Sequence, residues 1–416
     1  MMRIAILSDR IPPESRGGAG IVTWRLAYQL HNMGHDVHMI SATGDAPFEA
    51  VREGIPTYHL HVRYPDRWRA WLSLYNPQVN SPLKALYKRV QPDVINAHNI
   101  HIDLTYHSLQ LAHQMGIPTV FSSHDVMPFA YHKLSHFIDR TRCDVPVDAY
   151  RLPRFFNMRQ MRFRYNPLRN LTIRRILRDH TQVRTAPSQA LCDAHRANDL
   201  PPFVPVHNGI DVDTFAVEAE QVDALRERLG LHDRRVILFA GRLTKAKGTQ
   251  QLLDALIQVV QQVQNITLLV LSSVPIVEQI GDVRYAHLRD QHIVAGGWLT
   301  GDELASAFHL ADVTVTPSII FDTFPTVNLE AMASRSVVLA SCYGGSREAI
   351  EDGVSGYIIN PFDTADFAEK LVRVLSDDAM RQRMAERAYQ RVRALFTLAQ
   401  QAQAMLAQYQ QAIDTQ

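Results

Sequence analysis

The chain has little of what would mark it for an oxidising compartment or for a membrane. Its 416 residues include three cysteines, Cys143, Cys192 and Cys342, far apart and without a CxxC spacing. That argues against a disulfide scaffold and against a thiolate metal or redox motif. A reduced, cytoplasmic location is the expectation. No apolar run approaches the roughly eighteen residues of a membrane span. The first run is stopped by Asp9 and Arg10 and reads as a β-strand, too short for the core of a signal peptide. Net charge is nearly missing as well, with 43 Lys+Arg against 42 Asp+Glu. A near-neutral chain is not a strongly basic nucleic-acid binder. With 46% hydrophobic residues over this length, it reads as a soluble globular protein of two or three domains.

The neutral total hides an asymmetry. Residues 1–202 carry 25 basic and 16 acidic side chains, and the remainder carries 18 and 26. The basic excess sits in Tyr131–Arg184, with 13 Lys+Arg against 4 Asp+Glu and with Phe155, Phe156, Phe163 and Tyr165 among the arginines. One reading is a solvated insertion whose Arg stems pack on aromatic rings. The other is a face for an anionic ligand, either a lipid-linked phosphate acceptor or an anionic membrane surface touched peripherally at its inner face.

Apolar β-like runs alternate with helical patterns through both halves. Strands are expected at Arg3–Ser8, Asp36–Ser41, Ile55–Val62, Asp93–Ala97 and Thr119–Ser123, with a helix over Ile21–Met33 stopped by Gly34. Pro201-Pro202 and Pro205 mark a break. Strands then return at Val236–Ala240, Thr267–Ser272, near Val294, Val313–Thr316 and Val337–Ala340, with a helix over Lys247–Val263. The rhythm predicts two α/β units, each a parallel, doubly wound sheet. The boundary is placed at residue 202, and the tail ends in a helix over Thr397–Ile413.

Several motifs fall at strand carboxyl ends, where such sheets bind ligands. Gly241-Arg242-Leu243-Thr244-Lys245-Ala246-Lys247-Gly248 lies between a strand and a helix. Arg242 and Lys247 there can meet a phosphate beside a helix N-terminus; an ordinary basic loop would read the same. Asp322 and Glu330 flank the start of another helix. Asp322 can accept from sugar hydroxyls, and Glu330, about two turns in, from a ribose. The N–H groups of Thr326 and Val327 can hold a phosphate. Gly344-Gly345 permits close backbone approach. In the first half, Gly17-Gly18 follows the first strand, and His124-Asp125 follows the fifth, where the pair can orient a reacting group. His98 is a secondary candidate. Asp211-Val-Asp213 fits an Asp-x-Asp metal pattern but reads better as a helix cap.

Taken in order, the glycine loop near Gly17, Gly34-His35-Asp36-Val37, His124-Asp125, Asn208-Gly209-Ile210-Asp211, Gly241–Gly248, the Asp322…Glu330 pair and Gly344-Gly345-x-x-Glu348 resemble glycosyltransferase family 4, the group 1 transferases. The resemblance spans the chain. It implies a retaining GT-B enzyme with two Rossmann-like domains facing across a cleft. Residues 1–202 with 396–416 would bind the acceptor and 203–395 the nucleotide sugar, the last helix crossing back.

By the same resemblance, Arg242 and Lys247 match the diphosphate pair, Glu330 the ribose carboxylate and His124 the active-site histidine. Gly17 and Gly18 lie near the transferred group, and Asp322 replaces a glutamate at the donor sugar. Pro325 and Thr326 replace the usual Gly-Leu, and the shorter carboxylate of Asp322 reaches about one methylene less, which leaves the sugar open. No metal and no cofactor are expected. The donor would be a UDP- or GDP-sugar, and the acceptor a sugar, a glycan or a lipid-linked hydroxyl. Alternatives are a GT-B epimerase, a phosphorylase or a non-catalytic nucleotide-sugar binder. No lysine stands out as the pyridoxal-phosphate site a phosphorylase needs.

Overall fold

The computed structural model describes the chain except residues 15–16, 136–139 and 144–149. Arg16 of the glycine loop and ten residues of the Arg-rich segment therefore lie outside the described residues. The chain divides into two compact units. The first holds residues 1–137, 147–209 and 398–416, and the second 138–146 and 210–397. The chain thus passes from one to the other after Gly209, downstream of the boundary expected at the Pro201-Pro202 break.

In the first unit the strands are β1 (Arg3–Leu7), β2 (Asp36–Thr43), β3 (Phe48–Arg52), β4 (Ile55–His61), β5 (Val94–His98), β6 (Thr119–Ser122), β7 (Val183–Ala186) and β8 (Val204–Pro205). They form one sheet in the order β3-β4-β2-β1-β5-β6-β7-β8. All neighbours pair in parallel except the edge hairpin β3–β4. The central strands are largely apolar because helices cover both faces, with Asn96 and His98 of β5 as buried polar exceptions. Helix Gly18–Asn32 contributes Trp24, Leu26, Ala27 and Leu30 to the core, and helix Leu398–Asp414 adds Ala402, Met405, Tyr409 and Ala412 to the same cluster. Strand order reverses between β1 and β5. The carboxyl ends of these strands and of β6 carry Gly17, His98 and His124.

The second unit contains β9 (Arg235–Ala240), β10 (Ile266–Leu271), β11 (Ile293–Ala295), β12 (Val313–Thr316), β13 (Val337–Ser341) and β14 (Tyr357–Ile359). Their order is β11-β10-β9-β12-β13-β14, all parallel. Two apolar cores lie on this sheet, one built around Leu238, Phe308 and Leu329, the other around Ile237, Leu256 and Phe367. Strand order reverses between β9 and β12, so their following loops open a crevice suited to a ligand.

Among the described residues, no helix is long and apolar enough to cross a membrane. Four strands escaped the sequence reading: β3, β7, β8 and β14. β3 is an exposed edge with no apolar alternation, and Glu53-Gly54, both at positive φ, make its two-residue turn. The predicted helix over Lys247–Val263 is shorter, Thr249–Val259, after a 3₁₀ turn at Lys245–Lys247.

Candidate active site

In the second unit, three loops are knitted together beyond β9, β12 and β13. The Gly241–Gly248 loop ends on Gly248, which caps the following helix at φ +75°. A Cβ at Gly248 would lie 1.9 Å from the Pro317 carbonyl oxygen, so only glycine lets the two loops meet. The Ile319 N–H donates to Ala246 O at 3.0 Å and locks the contact. Gly344 approaches the Asp322 backbone just as closely, and the Gly345 N–H donates to Asp322 O at 2.9 Å.

This framework joins Lys247 to Asp322. Lys247 Nζ donates to Asp322 Oδ2 at 2.7 Å, and Ser318 Oγ donates to the same oxygen at 3.1 Å. A cation from one loop and a carboxylate from the other therefore share one point. Arg242 is exposed, with no hydrogen bond or ion pair among the described residues. Helix Thr326–Ala333 opens at Thr326 and Val327 with Pro325 before it, which gives no side-chain cap among the described residues. Its first N–H groups are suited to an anion.

Glu330 is the fifth residue of that helix, one turn in rather than the expected two, and is 9% exposed. Asn328, which the sequence reading passed over, holds the parts together. Its Oδ1 accepts from Thr316 Oγ1 at 2.8 Å and its Nδ2 donates to Ser346 Oγ at 3.1 Å. Asp211 and Asp213 sit apart from these loops in sequence and form a local turn. Asp211 Oδ1 accepts the Asp213 N–H at 3.2 Å at the head of a 3₁₀ turn.

In the first unit, Gly17 precedes helix Gly18–Asn32, and a Cβ on Gly18 would meet open space. His124 and Asp125 lead into two hydrogen-bonded chains. His98, the secondary candidate, lies with Nδ1 2.7 Å from His124 Nε2. Behind it stand Asn96 and, from the last helix, Tyr409. Burial pushes the His98 ring well below its ordinary pKa and His124 down to about 4. Both rings are neutral at pH 7.

Asp125 takes the other route. Its Oδ2 faces His101 Nε2 at 3.2 Å and its Oδ1 accepts the Met127 N–H at 2.8 Å. Burial alone would raise this carboxyl. The His101 ring, the Met127 N–H and the His124 ring outweigh it and hold the group at about 2. Asp125 is thus an anion that fixes His101. Asp9, after β1, accepts the N–H groups of Ile102, Asp103 and Leu104 at 2.8–3.0 Å and anchors the loop that carries His101. Neither Asp9 nor His101 was singled out from sequence.

Comparison with known proteins bears on both units. The family model of the glycosyl transferases group 1 matches residues 221–391, and that of Glycosyltransferase Family 4 matches residues 16–214. An uncharacterized glycosyltransferase of Methanocaldococcus jannaschii, MJ1607, is 26% identical over 384 residues, 92% of this chain and 91% of that protein. The alpha-D-kanosaminyltransferase of Streptomyces kanamyceticus is 31% identical over 179 residues, so the match spans 43% of this chain and less than half, 45%, of that relative. Among solved structures, Anabaena Alr3699/HepE in complex with UDP superposes with a TM-score of 0.71 at 16% identity, covering 98% of this chain and 99% of that one.

Proposed function

Since the chain belongs to the group 1 glycosyltransferases of glycosyltransferase family 4, with the GT-B fold, we propose that it moves a hexosyl unit from a nucleotide diphosphate sugar to an acceptor hydroxyl, with retention at the anomeric carbon and without a metal. The second unit is the donor side. There Arg242, Lys247 and the N–H groups of Thr326 and Val327 take the diphosphate, Glu330 takes the ribose and Asp322 a sugar hydroxyl. The first unit is the acceptor side, with residues 398–416 closing it.

The observation that carries the reading is the Lys247–Asp322 contact of 2.7 Å. It brings the cation proposed for the diphosphate and the carboxylate proposed for the sugar side by side at the crevice of a doubly wound sheet. As the leaving diphosphate gains charge, Lys247 and Arg242 stabilise it in place of water. A phosphate oxygen of the donor takes the acceptor's proton as the hydroxyl attacks from the same face. His124 acts as a hydrogen-bond acceptor for a substrate hydroxyl. Asp125 positions His101.

The UDP complex of the Anabaena protein makes UDP-sugars the first donors to test, with GDP-sugars second. In a thermal-shift screen the cognate diphosphate raises the melting midpoint by mass action. Transfer is then read with that nucleotide's sugars, and the anomeric configuration of the product by proton NMR. Binding of a sugar nucleotide with neither hydrolysis nor transfer to any acceptor would leave a non-catalytic binder instead.

A further inference from the structure

We infer that the first unit holds a site for a phosphate group, the anionic handle of the acceptor, in a cavity lined by Arg69, Arg162, Arg164, Arg169, Ser73 and His101. The inference rests on the reading of that unit as the acceptor side. The cavity has a volume of about 370 Å³ and lies wholly within the unit. Four guanidinium groups line it against one carboxylate, that of the exposed Asp66.

Arg169 is 2% exposed, yet among the described residues the partners of its guanidinium are all neutral: Met127 O at 2.7 Å, Asn170 Oδ1 at 3.0 Å, Ala130 O at 3.5 Å and the face of Tyr131 at 4.6 Å. No carboxylate pairs with it among the described residues. A buried charge without a counter-charge is expensive, and most are paired or neutralised. An arginine does not readily neutralise itself. Asp125 acts on it only through space, with no hydrogen bond or ion pair between them among the described residues, so an anion from outside would give the guanidinium its direct partner.

A further group in the cavity wall points the same way. Ser73 Oγ is buried on a residue 1% exposed and has no hydrogen-bond partner among the described residues, so its hydroxyl can donate to a phosphate oxygen. Arg69, Arg162 and Arg164 have no ion pair among the described residues either, and Arg162 is held at φ +50°, a conformation L residues rarely adopt. Phosphate offers several strong acceptor oxygens to such a set, and arginine binds it through two parallel N–H groups. His101 also touches Asp125, so the phosphate would sit beside the candidate active-site chain. Trp68 and Trp71, exposed on either side of Arg69, and Phe163, exposed between Arg162 and Arg164, suit a phosphate displayed on a lipid headgroup. A free sugar phosphate presents the same chemistry.

The test uses the full chain in three arms, each with UDP run in parallel. Inorganic phosphate should raise the melting midpoint beyond sodium chloride of matched ionic strength. The exposed double variant Arg162→Ala/Arg164→Ala should weaken phosphate binding on the order of tenfold while leaving the UDP shift unchanged. Arg169→Met should abolish the phosphate shift; should it fail to fold, the double variant still decides. Sedimentation with phosphatidylcholine vesicles, with and without phosphatidic acid, against titration with hexose phosphates assigns the phosphate to lipid or to a soluble acceptor. No phosphate shift beyond salt, or an equal one in the double variant, overturns the inference. A missing UDP shift beside an intact phosphate shift would instead count against the donor reading.

Discussion

His124 donates a hydrogen bond to His98, and the direction of that bond is set from behind. Asn96 Nδ2 donates to the Val120 carbonyl at 3.2 Å and to Ser122 Oγ at 2.8 Å, so its Oδ1 must accept. It accepts from Tyr409 O–H at 2.8 Å and from His98 Nε2–H at 2.6 Å. Neutral His98 then has a lone pair on Nδ1, which takes the proton of His124 Nε2 at 2.7 Å. In this tautomer the lone pair of His124 lies on Nδ1.

The first prediction follows from that chain. His98→Phe keeps a ring but removes the acceptor, so His124 loses its fixed tautomer. One neutral hydrogen bond is worth roughly 1 kcal/mol, which is about a fivefold fall in turnover. KM for the donor nucleotide should stay near its starting value. Tyr409→Phe acts one bond further back and should cost less. Steady-state kinetics on both variants check the order, and an unchanged kcat in His98→Phe would refute the relay.

The second prediction concerns pH and stability. His124 titrates near 4 in the fold against 6.5 unfolded, and burial holds His195 down to about 3. Between these values the unfolded chain binds more protons, so stability is full above pH 6.5 and falls as pH drops toward 4. Asp103 works the other way. Burial, then the Asp9 charge, lifts it to about 6, so it favours the fold as pH falls below that value. The slope of wild type alone therefore mixes both. Melting curves from pH 7 to pH 4 should be flatter for His124→Gln than for wild type, and identical slopes would contradict the assignment.

Much of the fold is readable from local pattern, because a parallel strand covered on both faces is apolar over most of its length. Ile4-Ala5-Ile6-Leu7 and Val236-Ile237-Leu238-Phe239 announce themselves this way. β8 has two residues, one of them proline, and β7 is interrupted by Arg184, so neither carries such a signal. The same divide runs through the site. His124, Lys247 and Asp322 stand out by position at strand ends. Asn96 and Tyr409 do not, since their meaning lies in a contact across 313 residues of chain. Asn328 looks like one more helix residue until Thr316 and Ser346 are brought to it.

The third prediction separates chemistry from stability at Lys247. Its pair with Asp322 is partly open to water, Lys247 being 38% and Asp322 20% exposed, so it contributes about 0–1 kcal/mol to folding. Lys247→Ala should leave the melting midpoint almost unchanged. If Lys247 stabilises the departing diphosphate, turnover should fall by roughly 10²–10³-fold, and Arg242→Ala should do the same. Near-normal turnover in both variants would remove the diphosphate role.

The fourth prediction contrasts two kinds of glycine. Gly344→Ala forces a Cβ to within 2.0 Å of the Asp322 carbonyl oxygen, at φ +97°. The loop carrying Asp322 cannot stay where it is, and the variant should lose several kcal/mol of stability or fail to fold. At Gly18 nothing lies within 4 Å of an added Cβ, and the residue opens a helix. Gly18→Ala should melt at the same temperature or slightly higher, since alanine loses less backbone freedom on folding. If Gly18 is there for close approach to a ligand, the new methyl group should still weaken substrate binding and raise KM. A Gly18→Ala protein with normal kcat and KM would mean that the glycine serves only the turn.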